Sequence, residues 1–300
     1  MGSTREAAVV KARDFFARFE ELANLSGRRR ETELGKPIDM SGRVDLLMET
    51  EYRVVTCADA NFFHFLPVLE ENVRRKTGQY PVIYDLGLLA SQRARLKSEI
   101  VSLTPPEGYD KNVPRGAIRA HHKPDCLLDF VARFRQNVLY LDADVLMVDN
   151  LPAKAFVGCD VAVTPRHPKE LLAGDPFRNG RLNSGVLYFA NNREAHALLE
   201  QWRALCSEGI HTDQMAISDI LEPTDLNGPL GIATLGGLRV LKLDPRVYND
   251  VACRTGRLWH FKNAGRRFHK KRRWWAAAMK ERITPRRFAA RVARARDALD

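Results

Sequence analysis

Short apolar runs alternate with amphipathic stretches through most of this chain. Runs rich in β-branched and aromatic residues predict buried strands, and apolar residues that recur every three or four positions predict helices. The predicted strands are residues 52–57, 81–86, 100–103, 138–141, 161–164, 182–189 and 240–243. The predicted helices are residues 62–76, a helix from about residue 91, 125–134, 194–206 and a helix opened by residues 212–215. This order predicts an α/β domain with a mostly parallel central sheet flanked by helices.

The two ends of the chain lie outside this alternation. Residues 5–25 carry apolar residues at helical spacing and predict an amphipathic helix, whereas residues 26–42 are polar, contain Gly and Pro, and predict a linker. Residues 285–299 predict a final helix whose apolar stripe is Phe288, Val292, Ala295 and Leu299. We therefore expect an N-terminal helix and linker at 1–45, the α/β domain at 46–265, and a basic amphipathic extension at 266–300.

The formal net charge of +11 is concentrated near the C-terminus. Residues 254–300 contain 16 Lys and Arg against three acidic residues, whereas residues 1–253 contain 32 Lys and Arg against 34 acidic residues. A basic amphipathic helix suits an anionic membrane surface. No apolar run is long enough to cross a bilayer, and the N-terminus lacks the apolar core of a secretory signal. We expect a cytoplasmic protein that is at most peripheral at the inner face of a membrane.

The five cysteines are scattered and never spaced as C-x-x-C. The cysteines are Cys57, Cys126, Cys159, Cys206 and Cys253. This odd, dispersed set indicates neither a disulfide framework nor a zinc site, so reduced thiols are expected.

A pair of carboxylates follows the apolar run at 138–141. Asp142 and Asp144 form a D-x-D, and residues two apart in a strand-end turn can direct both carboxylates into one crevice. Oxygen ligands of this kind suit Mn²⁺ or Mg²⁺ that carries substrate phosphates. A solvated turn explains the same pair equally well at this point. Ligands of open α/β sheets bind outside the carboxyl ends of strands, so residues 58–61 and 142–144 are expected to face one crevice.

Two other uses of the D-x-D are weighed against its neighbours. An EF-hand calcium loop needs an oxygen ligand, Gly and Glu at its fifth, sixth and twelfth positions, where this chain has Leu146, Met147 and Ala153, so that assignment fails. A phosphoaspartyl phosphatase also begins with a strand that ends in D-x-D, but it expects Thr or Val where Leu146 stands and an acidic pair later. It is retained as an alternative function.

A second alternative comes from the C-terminal basic segment. Aromatic residues interleave with its Lys and Arg, as a single-stranded nucleic-acid site requires. These aromatic residues are Trp259, Phe268, Trp274 and Trp275. A nucleic-acid-binding protein would leave the net acidic residues 1–253 without a role, so nucleic acid is not the expected partner.

Several motifs in order carry a resemblance to a known family. They are A-D-A-N at 58–61, Y-D-L-G-L at 84–88, Y-L-D-A-D-V at 140–145, N-S-G-V-L at 183–187, D-Q at 213–214 and H-F-K-N-A-G at 260–265. Together they resemble the GT-A fold (nucleotide-diphospho-sugar transferase) glycosyltransferases, most closely the retaining glycogenin and lipopolysaccharide galactosyltransferase type. The resemblance covers residues 52–265.

The resemblance implies a role for each matching position. Asp142, Asp144 and His260 would hold the Mn²⁺ or Mg²⁺. The donor, a UDP-sugar, would meet Ala58, Asp59 and Asn61 at its uridine, Lys123 and Asp142 at its sugar or phosphates, and Ser184 in its sugar pocket. Asn183, Asp213 and Gln214 would be the catalytic residues around the reacting sugar. The implied reaction moves a hexose, with retention, to a glycan, lipid-linked or envelope acceptor.

The sequence departs from the family after the metal histidine. The family places a Gly three residues on and a Lys-Pro-Trp soon after, whereas here Gly265 lies five residues on and Arg266, Arg267 and Phe268 follow. The basic side chain that would bind the diphosphate is therefore uncertain in the family pattern, and the candidates are Lys262, Arg266 and Arg267.

Plain structural roles also explain several of these residues. Asp59 and Asn61 suit a turn or a helix cap, Asn183 suits the opening of a strand, and Asp213 suits the first turn of a helix. A histidine between Trp259 and Phe261 suits a packed core. The sequence alone does not decide between these structural roles and the binding roles that the resemblance implies.

Overall fold

The computed structural model describes residues 51–103, 122–171, 180–208, 212–262 and 268–297. The expected N-terminal helix and linker lie outside the described residues, as do part of the 165–181 loop and Arg266 with Arg267. The strands are β1 Tyr52–Ala58, β2 Val82–Asp85, β3 Glu99–Ser102, β4 Asn137–Leu141, β5 Val145–Met147, β6 Val161–Pro165, β7 Leu182–Phe189, β8 Gly231–Leu235, β9 Leu238–Lys242 and β10 Leu258–His260.

Nine α-helices lie between and after these strands in the described part of the chain. They are α1 Leu66–Thr77, α2 Ala90–Arg93, α3 Lys123–Phe134, α4 Pro168–Leu171, α5 Arg193–Ser207, α6 Asp213–Ile220, α7 Pro245–Tyr248, α8 Phe268–Ile283 and α9 Pro285–Asp297. Capping residues mark several of the helix ends. Gly78 adopts φ 81° after α1, and the Asn192 side chain accepts a hydrogen bond from the Ala195 amide at the start of α5.

Eight of the described strands form one sheet in the order β3-β2-β1-β4-β7-β6-β9-β8. Strands β3, β2, β1 and β4 run parallel to one another, and β6 pairs parallel with β9. Strand β7 pairs antiparallel with both β4 and β6, and β8 pairs antiparallel with β9. The α/β class with a mostly parallel sheet flanked by helices is thereby confirmed.

Apolar side chains fill both faces of the sheet. One face packs against α3, α5 and α6, with Phe130 and Trp202 fully buried. The other face packs against α1 and the loop that follows β5, with Leu69 and Phe156 fully buried. Because the central strands are covered on both sides, they appear as continuous apolar runs in the sequence.

A third apolar cluster joins the C-terminal helices to the domain. Trp274 of α8 contacts Phe65 edge-on at a ring distance of 4.7 Å, and Phe288 of α9 contacts Trp259 at 5.2 Å. Glu281 is fully buried and pairs with Arg75 and Lys76. The basic segment therefore packs on the domain through a defined face.

Several elements differ from the sequence prediction. Strands β5, β8 and β10 and helices α4, α7 and α8 were not predicted. Strand β10 has only three residues and pairs antiparallel with β5, in a register that sets His260 opposite Val145. In the described residues, no helix has the length and apolar character that a bilayer crossing needs.

Candidate active site

The candidate site lies where the strand order of the sheet reverses. Strands β1, β2 and β3 succeed one another in one direction, and β4 lies on the other side of β1. The carboxyl ends of the parallel strands β1 and β4 therefore open side by side, with residues 58–61 after one strand and residues 142–144 after the other. Such a reversal leaves a crevice in which α/β proteins bind ligands.

Asp142, Asp144 and His260 converge at this crevice. Their ligand atoms all lie within 4.8 Å of one another, and this is the one group of its kind in the described residues. His260 Nε2 lies 3.3 Å from Asp144 Oδ1 and 3.6 Å from Asp142 Oδ2. Two carboxylates and an imidazole suit Mn²⁺ and accept Mg²⁺, so the residues present fit the ion that the sequence predicts.

The backbone around β5 and β10 brings His260 to the two aspartates. The His260 amide donates to the Asp250 carbonyl at 3.1 Å, and the Phe261 amide donates to the Asp144 carbonyl at 3.1 Å. Asp250 in turn accepts five backbone N–H groups of the loop that returns the chain to β10. They belong to Ala252, Cys253, Arg254, Thr255 and Gly256.

Asn249 fixes which nitrogen of His260 faces the carboxylates. Its Nδ2 donates to the Asn183 carbonyl at 3.3 Å and to Thr164 Oγ1 at 2.8 Å, so its Oδ1 is the atom that lies 2.8 Å from His260 Nδ1. A carbonyl oxygen only accepts, so Nδ1 carries the hydrogen. The lone pair is then on Nε2, the nitrogen directed at Asp142 and Asp144, as a metal ligand requires.

Gly185 provides the space for this arrangement. A Cβ at Gly185 would lie 2.3 Å from His260 Cε1 and 2.9 Å from Asp142 Oδ2. The imidazole and the carboxylate therefore pack directly against the backbone of β7. Any side chain at this position would displace one of them.

Lys123 joins the aspartates to the other half of the site. Its Nζ lies 3.0 Å from Asp142 Oδ1 and 2.9 Å from Asp213 Oδ2, and it donates to Ser184 Oγ at 3.1 Å. Ser184 Oγ donates to Asp213 Oδ2 at 2.7 Å. One buried ammonium group thus holds β4, β7 and the first turn of α6 together.

Charge pairing decides the ionisation of this centre. Burial lowers the pKa of Lys123, but Asp142 and Asp213 outweigh burial and raise it above its usual value. Burial raises the pKa of Asp142, but Lys123 and the hydrogen bond from Tyr140 outweigh burial and the pKa ends below its usual value. Lys123 is therefore a fixed positive charge and Asp142 a fixed negative charge near neutral pH.

Tyr140 holds the carboxylate of Asp142 through a hydrogen bond. Its hydroxyl donates to Asp142 Oδ1 at 3.0 Å and lies 3.2 Å from Cys57 Sγ. Since Oδ1 of Asp142 also meets Lys123, Oδ2 is the oxygen directed towards His260.

The residues expected on the nucleotide side form a turn at the end of β1. Asp59 is buried, and its Oδ1 accepts from the amides of Asn61 at 2.8 Å and Phe62 at 3.2 Å. Ala58 is buried beside it, and Asn61 is exposed. The carboxylate of Asp59 thus has the turn role that the sequence left open, while Asn61 remains accessible at the crevice end of β1.

A second cluster surrounds Glu170 of α4. Lys262 Nζ lies 2.7 Å from Glu170 Oε1, and Asn183 Nδ2 donates to Glu170 Oε2 at 3.2 Å. Burial raises the pKa of Glu170, but Lys262 and Arg166 outweigh burial and lower it to about 2. The structure therefore connects Asn183 and Lys262 through a residue that the sequence did not single out.

The structure brings most of the predicted site residues together. Asp142, Asp144, His260, Lys123, Ser184 and Asp213 form one connected set. Gln214 lies next to Asp213 at the start of α6 and is buried. Arg266 lies outside the described residues.

Sequence reasoning missed the residues that orient others. Tyr140, Gly185 and Asn249 contact Asp142 or His260, and Glu170 contacts Lys262. Tyr140 and Gly185 lie inside the motifs at 140–145 and 183–187. Their positions close to Asp142 and Ser184 in the sequence could therefore have indicated a role in the site. Asn249 lies in a Y-N-D sequence eleven residues before His260, and only the fold joins the two.

The C-terminal helices bury much of what the sequence offered as a binding surface. Phe288 and Val292 of the predicted apolar stripe face the domain, and Leu299 lies outside the described residues. Trp259 and Trp274 are buried as well, so neither ring is accessible for stacking on a base.

The sequence matches no protein-family model, and no curated protein matches it. Among solved structures, the chain is similar to the galactosyltransferase LgtC in complex with donor and acceptor sugar analogs, at 18% identity and a TM-score of 0.45 over 65% of this chain and 74% of that chain. It is also similar to a glycosyltransferase involved in the glycosylation of the major capsid of PBCV-1, at 14% identity and a TM-score of 0.48 over 74% of this chain and 98% of that chain. Because both TM-scores are below 0.5 and both identities are below 20%, the function of this chain is inferred from its own residues.

Proposed function

We propose that this protein is a metal-dependent glycosyltransferase that uses a nucleotide sugar as donor. The observation that carries the proposal is the convergence of Asp142, Asp144 and His260 at the strand-order reversal, beside the Lys123–Asp213 pair. The ordered motifs at 58–61, 140–145, 183–187, 213–214 and 260–265 support the same class. The catalytic domain is proposed to be residues 46–265.

The metal cluster is proposed to bind the diphosphate of the donor. Mn²⁺ or Mg²⁺ held by Asp142, Asp144 and His260 would neutralise the departing diphosphate as a Lewis acid. The donor is proposed to be a UDP-hexose, with Ala58, Asp59 and Asn61 at the end of β1 on the nucleotide side. Lys262 is the described candidate for a cation at the phosphates, and Arg266 and Arg267 are further candidates.

The sugar is proposed to lie over Lys123, Asp213 and Ser184. Their mutual contacts fix their positions before the donor arrives, so little reorganisation would accompany the reaction. Asn183 and Gln214 border this set and would contact the reacting sugar. Catalysis would then rest on holding the acceptor hydroxyl against the anomeric carbon, with retention of configuration.

The acceptor is proposed to be a carbohydrate or a glycolipid, including lipid-linked and envelope glycans.

The test is release of UDP from a panel of UDP-sugars with and without Mn²⁺. We expect Mn²⁺-dependent release by the unaltered protein and a loss of at least about a hundredfold in Asp144→Asn and His260→Ala. Asp149→Asn is the matched control, since Asp149 lies nearby in sequence and pairs with Arg257 at the surface.

Full turnover in both cluster variants would overturn the metal assignment. Release of inorganic phosphate from a phosphate ester, with no turnover of any UDP-sugar, would favour the phosphoaspartyl phosphatase instead.

A further inference from the structure

Two thiols lie beside the metal cluster, and the proposed reaction uses neither of them. Cys57 is the next-to-last residue of β1, and Cys126 lies near the start of α3. Both are free thiols, and their side chains are hydrogen-bonded to each other. Cys57 also packs against the apolar cluster that contains Cys126. The fold therefore pairs two cysteines that lie far apart in the sequence.

A chain of hydrogen bonds joins this pair to a proposed metal ligand. The Tyr140 hydroxyl has one hydrogen, which it donates to Asp142 Oδ1 at 3.0 Å. Cys57 Sγ lies 3.2 Å from the same hydroxyl oxygen, so the Cys57 thiol is the donor of that bond. Since the hydrogen of Cys57 is used there, Cys126 donates to Cys57. The bonds therefore run in one direction, from Cys126 through Cys57 and Tyr140 to Asp142.

Lys123 connects the thiol pair to the site by a second route. It lies three residues before Cys126, so the two residues share one turn of α3. Its Nζ lies beside Asp142 and Asp213 and 5.2 Å from the centre of the Tyr140 ring. A displacement of Cys126 towards β1 would therefore displace the ammonium group that joins β4, β7 and α6.

The two thiols differ in access and in acidity. Cys57 is half-buried, whereas Cys126 is fully buried. The hydrogen bond from Cys126 outweighs burial and lowers the pKa of Cys57, and the charge of Lys123 acts in the same direction. Burial and the contact with Cys57 raise the pKa of Cys126. Because the thiolate is the form of cysteine that attacks an oxidant, Cys57 is suited to react first.

We propose that Cys57 and Cys126 are a redox site at which a hydroperoxide converts two thiols into a disulfide. The Cys57 sulfur attacks one peroxide oxygen, the O–O bond breaks, and Cys57 becomes a sulfenic acid. The other oxygen leaves as water when the oxidant is hydrogen peroxide. Cys126 then attacks the sulfenic sulfur, the S–S bond forms and a second water leaves. Two electrons and the two thiol protons thus pass to the peroxide.

The disulfide would disturb the metal cluster at two points. Cys57 would lose the hydrogen that it donates to Tyr140, the residue that holds the carboxylate of Asp142. A covalent S–S bond is also shorter than a hydrogen bond between two sulfurs, so α3 would move towards β1 and carry Lys123 with it. Oxidation should therefore weaken metal binding, a step that rests on the proposed function.

Cys253 provides the matched control, because it is half-buried like Cys57 and also lies close to the metal cluster. Its Sγ lies 3.6 Å from the Asp250 carbonyl oxygen and 3.9 Å from the His260 carbonyl oxygen. Burial raises the pKa of its thiol, so Cys253 is less suited to attack a peroxide.

The first test identifies the bond. The reduced protein is treated with hydrogen peroxide, the remaining thiols are alkylated, and the cysteines are mapped by mass spectrometry. We expect a Cys57–Cys126 disulfide that dithiothreitol reduces again by thiol–disulfide exchange. Cys253→Ser should form the same disulfide. Cys126→Ala should stop at the sulfenic acid of Cys57, which dimedone traps.

The second test measures the consequence for the metal cluster. Titration calorimetry compares Mn²⁺ binding by the reduced and the oxidised protein without any nucleotide sugar. We expect oxidation to weaken binding at least about tenfold, as loss of a partner of a metal ligand does, and dithiothreitol to restore it. Cys253→Ser should respond in the same way. Cys126→Ala should bind Mn²⁺ equally before and after peroxide, because no bond draws α3 towards β1.

Three outcomes would overturn the proposal. The redox site is refuted if peroxide leaves Cys57 and Cys126 as thiols, or if Cys253→Ser removes the effect on Mn²⁺ binding and Cys126→Ala retains it. Equal Mn²⁺ binding by the dithiol and disulfide forms would refute the coupling to the metal cluster.

Release of UDP by the reduced protein separates this proposal from the proposed function. Mn²⁺-dependent release of UDP without any Cys57–Cys126 disulfide would refute the redox site and leave the activity standing. A mapped disulfide in a protein that releases no UDP would refute the activity and leave the redox site standing.

Discussion

The imidazole ring of His260 is held in one orientation, with Nε2 directed at Asp142 and Asp144. Asn249 accepts the Nδ1 hydrogen of His260, and its own orientation is fixed by the Asn183 carbonyl. Removing the acceptor would free the ring to present either nitrogen to the two aspartates. Partners of metal ligands typically contribute a factor of 10 to 100 in affinity.

We therefore predict that Asn249→Leu weakens Mn²⁺ binding by about 10- to 100-fold, measured by titration calorimetry without any nucleotide sugar. Asn249→Asp retains an acceptor for Nδ1 but loses the donor to the Asn183 carbonyl, so it should weaken Mn²⁺ binding less than Asn249→Leu does. Equal weakening in both variants, with unchanged thermal unfolding of the metal-free protein, would refute the orienting role.

Glu170 offers a prediction on pH. Its pKa in the folded protein is about 2, below the usual value of 4.5, because Lys262 and Arg166 outweigh burial. A group with a lowered folded pKa contributes its stability fully above the unfolded pKa and loses it as the pH falls towards the folded pKa. That difference corresponds to at most about 3 kcal/mol.

Glu170→Gln is expected to lower the free energy of unfolding by about 1 to 3 kcal/mol at pH 7, measured by urea denaturation. The gap between the two proteins should narrow as the pH falls from about 4.5 towards 2. A gap that stays constant over that range would show that the carboxylate charge is not its cause.

Residues proposed to bind a ligand were accessible from the sequence, and the residues that orient them were not. Asp142 and Asp144 follow an apolar run, and His260 lies in an ordered motif, so residue type and place both indicated chemistry. Asn249, Tyr140 and Glu170 have ordinary neighbours in sequence, and only the fold sets their side chains 2.8, 3.0 and 2.7 Å from the atoms they orient.

At the scale of single elements, the loop before β10 shows how a short strand is placed. Three residues give too little pairing to hold a strand alone, and Asp250 compensates by accepting the five backbone amides of the returning loop. Gly256 is required in this loop, since a Cβ there would lie 2.5 Å from the Asp250 Cβ.

Asp250→Ala should therefore destabilise the fold by about 2 to 4 kcal/mol, because several buried N–H groups would lose their acceptor together. Urea denaturation measures this loss, and Mn²⁺ titration at a temperature where the variant is folded should show a weakened site. Asp244→Ala is the control, since Asp244 caps α7 nearby at the surface. A smaller effect for Asp250 than for Asp244 would contradict the proposed role of the loop.

The elements that the sequence predicted correctly share length and a clear pattern. Strand β7 was predicted with the observed bounds, because small residues at 183–185 lead into the apolar run 186–189 and turn residues flank the segment. Strand β10 has three residues, which is too short for a periodicity. Helix α8 was missed because its four consecutive basic residues and two adjacent tryptophans conceal the buried positions 274, 277, 278 and 281.

At the scale of the whole molecule, the sequence predicted the fold class but not the arrangement of strands after β4. Alternating strands and helices indicate a parallel sheet, and β1 to β4 follow that rule. Strand β7 enters antiparallel between β4 and β6, and this choice depends on packing of the whole sheet rather than on any local pattern. The strand-order reversal beside the D-x-D depends instead on the pairing of β4 with β1, which no local pattern in the sequence specifies.

Pairing of β10 with β5 also bears on biosynthesis. Asp142 and Asp144 are synthesised more than a hundred residues before His260, and the helices that cover Phe65 and Leu146 follow later still. A chain emerging from the ribosome therefore carries an acidic strand end and an open apolar cluster until residues 258–292 are available. The site and the apolar cluster are therefore completed late and at nearly the same stage of synthesis. Because the apolar cluster stays exposed until then, we expect the growing chain to bind a chaperone before the Asp142–Asp144–His260 cluster forms.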